Sequence, residues 1–307
     1  MMINSLRLSG NRGEVVVVDG GMTDSQRAQL AGVATVVDPP SEIAGTHALA
    51  VKPSVYLLAP KGVVVLIDSD MIVTRKLDDF VDRAAGGQVV AFPDHHSKHD
   101  RWFAEWRELF DLAAVPRHQL YVNAGLVALS VERWPDFLER WYRAARGIPP
   151  ERIQKDPSDA AWAADQDALN AILMSEVAPE DVWIGPAWES IHPDGLRKVE
   201  IVDERTLECR YEGKPTAVLH FSLYPKPWDP KGWRRITRDN AFVKLMPRVL
   251  FGDDLAVRTE EKKLPLWARP GAGAKATSSL IGATVGGGHG AKHAGLRLRA
   301  ALRRRFA

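Results

Sequence analysis

Cysteine is nearly absent: Cys209 stands alone in 307 residues, which excludes an internal disulfide and fits a reducing compartment. Long hydrophobic runs are absent too, and none approaches the ~20 apolar residues of a membrane-spanning helix. The start, Met1-Met2-Ile3-Asn4-Ser5-Leu6-Arg7, lacks the apolar core of a secretory leader, so the cytoplasm is the expected location. No internal repeat is visible. Acidic residues disappear from Arg269 onward, where eight Lys/Arg meet no Asp or Glu. The net charge of +2 therefore conceals a body with 33 Lys/Arg against 39 Asp/Glu, a balance of −6. A nucleic-acid partner is not expected, because it needs a basic face on the fold itself.

An apolar fraction of 45% with 26% charged residues suits a globular chain, and ten Trp supply a large aromatic payload. Short apolar runs alternate with amphipathic stretches, the pattern of α/β architecture. Glu14-Val15-Val16-Val17-Val18-Asp19 reads as a buried strand closed by Gly20-Gly21. Thr23 or Asp24 can cap a helix over Ser25 to Leu30. Ala34 to Asp38 is a second strand, stopped by Pro39-Pro40. Lys52 to Leu58 reads as helix, with Pro53 in its first turn. Gly62 to Ile67 is a continuous apolar run, as expected of a parallel strand covered on both faces. Strands are also expected at Gln88 to Phe92, Leu126 to Leu129 and Ala217 to Phe221, and a helix at Asp167 to Met174. Trp102, Phe103, Trp106, Leu109 and Phe110 recur at helical spacing, a stripe that fits core packing better than an acceptor platform. After Phe251 the pattern decays. The expected organisation is a catalytic-type domain over 1–255, then a Gly/Ala-rich linker and basic tail over 256–307.

The most hydrophobic strand ends in Asp68-Ser69-Asp70. Ligands bind at strand carboxyl ends in open α/β sheets. Residues two apart on a strand face the same way, so both carboxylates can reach one ion. Oxygen pairs of this kind suit Mg²⁺ or Mn²⁺, which share their coordination with substrate phosphates. Taken singly, a strand-end Asp can equally be a cap. Asn123-Ala124-Gly125 can be a turn, Asp165-Gln166-Asp167 an ordinary helix start, and His220-Phe221 a core histidine beside the Lys226-Pro227-Trp228 loop.

In combination and order these segments resemble the retaining glycosyltransferases of family 8, the glycogenin and bacterial galactosyltransferase group. The match runs through Val16-Val17-Val18-Asp19 with Gly21-Met22-Thr23, then Leu66-Ile67-Asp68-Ser69-Asp70. It continues through Tyr121-Val122-Asn123-Ala124-Gly125, Asp165-Gln166-Asp167-Ala168-Leu169-Asn170, and His220-Phe221 with Lys226-Pro227-Trp228. The resemblance implies a GT-A fold: a Rossmann-like, mostly parallel sheet with helices on both faces and an acceptor-side subdomain. It implies transfer of a hexosyl group from a UDP-sugar, with retention, to a glycan, lipid or small-molecule acceptor that the sequence does not identify. Asp68, Asp70 and His220 would hold Mn²⁺ or Mg²⁺ against the diphosphate, and Lys226 would contact the donor phosphates. Asn123, Asp165 and Gln166 would line the donor sugar and reacting centre, with Lys52, Gly125 and Asp167 also on the donor side. The alternatives are an inverting transferase or nucleotidyltransferase on the same scaffold, or a catalytically idle nucleotide-sugar-binding homologue.

Two departures accompany the match. Leu223 stands where the family often has Gly. The strand that precedes Glu14 to Val18 in the family has no counterpart here, Met2 to Leu8 reading as the helix that would follow it. The 1–255 domain is therefore expected to be N-terminally incomplete, either through an upstream segment not included or with an unfilled position beside Glu14 to Val18, the alternative being that another segment fills it.

Weaker signals carry less. Asp94-His95-His96 with His99 and Asp100 is metal-capable but reads as a polar loop. Gly271-Ala272-Gly273-Ala274-Lys275 lacks the spacing of a phosphate loop and reads as linker. Leu296, Leu298, Ala301, Leu302 and Phe306 intersperse with Arg297, Arg299, Arg303, Arg304 and Arg305. Such a tail can lie on an anionic membrane surface or stay solvated.

Overall fold

The structure, a computed structural model, describes residues 1–39, 41–43, 49, 51–94, 101–223, 226–228 and 240–258. The histidine run at 95–100, the Gly/Ala-rich linker and the basic tail lie outside the described residues.

The chain opens with helix α1 (Met2–Leu8), strand β1 (Val16–Val18), helix α2 (Asp24–Leu30) and strand β2 (Thr35–Val37). β1 and β2 pair in parallel, Val17 opposite Val36, with α2 as the crossover. Thr23 caps α2: its Oγ1 accepts from Gln26 N at 3.3 Å while Gln26 Oε1 accepts from Thr23 N at 2.8 Å. Lys52–Leu58 is a 3-10 helix rather than an α-helix. The stretch between Pro53 and Pro60 is short, and short connectors commonly take the tighter form.

Strands β3 (Val63–Ile67) and β4 (Met71–Val73) flank the Asp68-Ser69-Asp70 corner. Helix α3 (Asp78–Ala85), strand β5 (Val89–Pro93), helix α4 (Trp106–Leu109) and strand β6 (Val122–Ser130) follow. After them come helices α5 (Phe137–Arg146) and α6 (Asp165–Ser175) and strands β7 (Val182–Ile184) and β8 (Ser190–Ile191). Strands β9 (Val199–Asp203), β10 (Glu208–Tyr211), β11 (Lys214–Pro215) and β12 (Val218–His220) precede the last described helix, α7 (Ala241–Phe251).

The central sheet has the order β3-β6-β5-β7. β3, β5 and β7 run in one direction, with β6 reversed among them. All nine residues of β6 are buried, because alternate side chains enter different cores. Val122, Ala124, Val127 and Leu129 pack with α5 and α6, while Leu126 and Ala128 pack with Phe80 and Ala84 of α3. Helices thus cover both faces. A second sheet, β4-β12-β8, packs under α1 and α7, and an antiparallel meander β9-β10-β11 adjoins it. The aromatic stripe is core: Trp106 is fully buried and its Nε1 donates to Ala160 O at 2.6 Å, and Phe110 is buried with it. Only Trp106–Leu109 of this stretch is α-helical, so two of the five stripe residues lie on a helix.

β1 pairs only with β2, and β3 only with β6, so among the described residues the other edge of each has no strand partner. Among the described residues no helix is long and apolar enough to cross a membrane.

Candidate metal centre

Two strand registers assemble the site. In the β3–β6 ladder Ile67 faces Leu126, so the next step sets Asp68 beside Gly125, and Asp68 N donates to Gly125 O at 2.8 Å. In the β4–β12 ladder His220 faces Met71, which brings it against Asp70, and Phe221 N donates to Asp70 O at 3.1 Å. Asp68, Asp70 and His220 therefore converge, each offering one ligand atom within 4.8 Å of the others. His220 Nε2 lies 3.3 Å from Asp70 Oδ1 and 3.8 Å from Asp68 Oδ2. Neighbouring ligands of a six-coordinate ion at about 2.1 Å sit roughly 3 Å apart, so the spacing needs only a small contraction. Two carboxylates and an imidazole are a donor set that Mg²⁺ or Mn²⁺ accepts.

Two lysines meet these carboxylates. Lys52 Nζ lies 2.6 Å from Asp68 Oδ1 and 3.8 Å from Asp165 Oδ2, and donates to Ala124 O at 2.7 Å. Burial works against its charge, but Asp68 and Asp165 outweigh that and raise its pKa. Lys226 Nζ donates to Asp70 Oδ2 and to Phe221 O, the latter at 2.8 Å. Burial opposes ionisation of Asp70, yet its hydrogen bond with His220 and the charges of His220 and Lys226 prevail and take it down to about 2. Asp70 stays a carboxylate at every working pH.

Asp165 has the opposite environment. Burial pushes its carboxyl up to about 7; Lys52 pulls against this and Asp68 adds to it. The chain enters α6 through Ala164 at φ 50, ψ −112, a conformation that costs an L-residue on the order of 1–3 kcal/mol. Full burial of Ala164 and a 2.7 Å hydrogen bond from Trp141 Nε1 to Asp165 O hold this corner, which delivers Asp165 to Lys52.

Asn123 and Gln166 form the adjoining wall. Asn123 Nδ2 donates to Gln166 Oε1 and to Asp94 Oδ1, each at 2.9 Å, and Asn123 Oδ1 accepts from Gly125 N at 2.8 Å. Gln166 Oε1 also accepts from Ala124 N at 3.1 Å. A Cβ on Gly125 would come within 2.5 Å of Met71 Cε, 2.6 Å of Asn123 Oδ1 and 2.7 Å of His220 Cε1, so only glycine fits between the wall and the ligand imidazole.

Asp167 is placed differently. Fully buried, it accepts from Arg101 Nε and Nη2 at 2.6 Å each, and from Tyr121 Oη and Ala163 N at 2.7 Å each. Both oxygens are engaged by protein donors, and the residue braces Arg101 and Tyr121. Leu223 is 48% exposed.

Two residues of this neighbourhood carry no signal of their own in the sequence. Asp94 follows β5 and reads only as part of a polar histidine run. His192 follows β8, whose two residues are too short to read as a strand; its ring centroid lies 5.2 Å from that of His220.

No protein-family model and no curated protein matches the sequence. Solved structures match by shape. The apo structure of the bifunctional glycosyltransferase WbbM superposes with a TM-score of 0.54 at 14% identity, over 83% of this chain and 47% of that one. Mouse xyloside xylosyltransferase 1, in its apo form, gives a TM-score of 0.43 at 14% identity, over 74% of this chain and 91% of that one. The chain spans about half the length of the WbbM structure it matches. With the mixed sheet, its two helical layers and the acidic corner after β3, the likeness to WbbM establishes the fold as α/β of the GT-A kind.

Proposed function

We propose that the chain is a glycosyltransferase that moves a hexosyl group from a UDP-sugar to a glycan, lipid or small-molecule acceptor with retention at the anomeric carbon. The observation that carries this reading is the convergence of Asp68, Asp70 and His220 from two different sheets. Asp68, Asp70 and His220 would hold Mn²⁺ or Mg²⁺, which when bound supplies Lewis-acid stabilisation of a departing diphosphate.

The chain's own groups divide the remaining tasks. Lys52 and Lys226 counter the two carboxylates and stand where anionic phosphate oxygens would arrive. Their ammonium donors reinforce charge that grows on the leaving group. Asn123 and Gln166 hold one another through an amide hydrogen bond, which fixes a polar wall toward the donor sugar. Asp165, 3.8 Å from Lys52 Nζ, would line the reacting centre with them. Asp167 supports that region from behind through Arg101 and Tyr121.

Among the described residues β1 and β3 each have one edge without a strand partner, which favours one second reading, a protein that binds a nucleotide-sugar without turning it over. A screen of nucleotide-sugars for Mn²⁺-dependent nucleotide release, with and without acceptors, separates the two. Release that EDTA stops and Asp70→Ala abolishes supports the transferase. Saturable binding without release in every pairing supports the second reading, and full activity in EDTA removes the metal assignment.

A further inference from the structure

A histidine that ligates a metal through one nitrogen is ordinarily oriented by a hydrogen bond from the other. His220 has no such partner among the described residues. Its Nε2 faces Asp68 and Asp70, while its Nδ1 is buried without a hydrogen bond. The plane of the imidazole must therefore be fixed by packing.

Two packing contacts on the ring are seen among the described residues. One is the backbone at Gly125, where a Cβ would stand 2.7 Å from His220 Cε1. The other is His192, whose ring is tilted 49° to that of His220 at a centroid separation of 5.2 Å. The fold brings the two imidazoles together through register. β8 and β12 pair in parallel, Ser190 with Val218 and Ile191 with Leu219, so the next step along both chains sets His192 beside His220. His192 is 7% exposed and His220 3%, so neither ring has open space in which to turn.

We propose that His192 is a positioning residue: its ring packs on His220 and holds the Nε2 edge toward Asp68 and Asp70, so that the triad is preorganised for a divalent ion. This rests on the metal reading of that triad. The role belongs to the ring as a flat surface, and it predicts that another flat ring serves in its place.

The experiment is Mn²⁺ titration of the full chain, followed by the electron paramagnetic resonance of free Mn²⁺, with thermal unfolding in EDTA as the control for folding. His220→Ala should abolish saturable binding. His192→Ala should weaken it roughly tenfold or more, the size of effect seen when a group orienting a metal ligand is lost. His192→Phe should stay within about threefold of wild type, because an aromatic pair is retained. Should His192→Ala fail to fold, His192→Leu against His192→Phe makes the same comparison at similar volume. Unchanged affinity in His192→Ala or His192→Leu overturns the proposal. Equal weakening by His192→Phe also overturns it, since the nitrogens would then matter rather than the surface. If wild type and His220→Ala bind Mn²⁺ alike, or neither binds, the metal reading itself falls and takes this one with it.

Discussion

Replacing Asp165 by Asn separates stability from activity in a way that pH reveals. In the native chain burial raises this carboxyl from 3.8 to about 7. The folded state therefore holds the proton more tightly than the unfolded state does. For an acid raised in this way, stability is highest below the unfolded pKa and is lost as pH rises toward the folded one. Each tenfold difference in proton affinity between the two states is worth about 1.4 kcal/mol. The native carboxyl therefore costs roughly 4 kcal/mol above pH 7 and about 1.5–2 kcal/mol at pH 5. An asparagine side chain has nothing to ionise. Lys52 keeps Asp68 at 2.6 Å and Ala124 O at 2.7 Å in the variant, so its charge is not stranded. Urea unfolding in EDTA at pH 5 and pH 8 reads the result. The stability of Asp165→Asn relative to wild type should rise by about 2–3 kcal/mol between the two pH values. Donor turnover at pH 7.5 should fall on the order of 100-fold, as for loss of a preorganised electrostatic group. A stability difference independent of pH would refute the burial argument, and unchanged turnover would return Asp165 to a structural role.

Gly125→Ala should cost about 1–3 kcal/mol through overpacking against Asn123 and His220, and should weaken Mn²⁺ affinity as well; a fully stable variant with wild-type affinity would show that the wall yields. Asn170→Ala should lower urea stability by roughly 2–5 kcal/mol, because Asn170 Oδ1 and Nδ2 satisfy Val122 N and O at 2.8 Å each and leave both buried when removed. Cys209 is 1% exposed, and burial, with Glu208 adding, pushes its thiol up to about 12, so native protein should resist thiol reagents at pH 8 while urea-unfolded protein reacts at once. The same raised pKa predicts stability lost as pH rises above about 9, the unfolded thiol's range, an effect that Cys209→Ser should remove.

Much of this chain can be read from local chemistry alone. The β-branched run before Asp68, the Thr23 cap with Gln26, and the helix opening at Asp165 are each set by neighbours a few residues away. The acidic pair after the apolar strand is legible for the same reason, although Asp68 and Asp70 sit in the corner between β3 and β4, so a turn rather than alternation along one strand brings them together. What those residues meet is a matter of tertiary packing. Asp167 reads as a donor-side residue because it shares a segment with Asp165 and Gln166. A helix turns about 100° per residue, so two positions along it reaches a different environment, where Arg101 and Tyr121 take both of its oxygens. The 3-10 form of Lys52–Leu58 and the four-residue extent of α4 are likewise set by packing rather than by periodicity. His192 is the extreme case. Nothing near it in the chain marks it, and it reaches His220 only because two short strands 28 residues apart pair in one register. Strand register is fixed by which faces can be buried across the whole sheet, a property that no window of sequence contains.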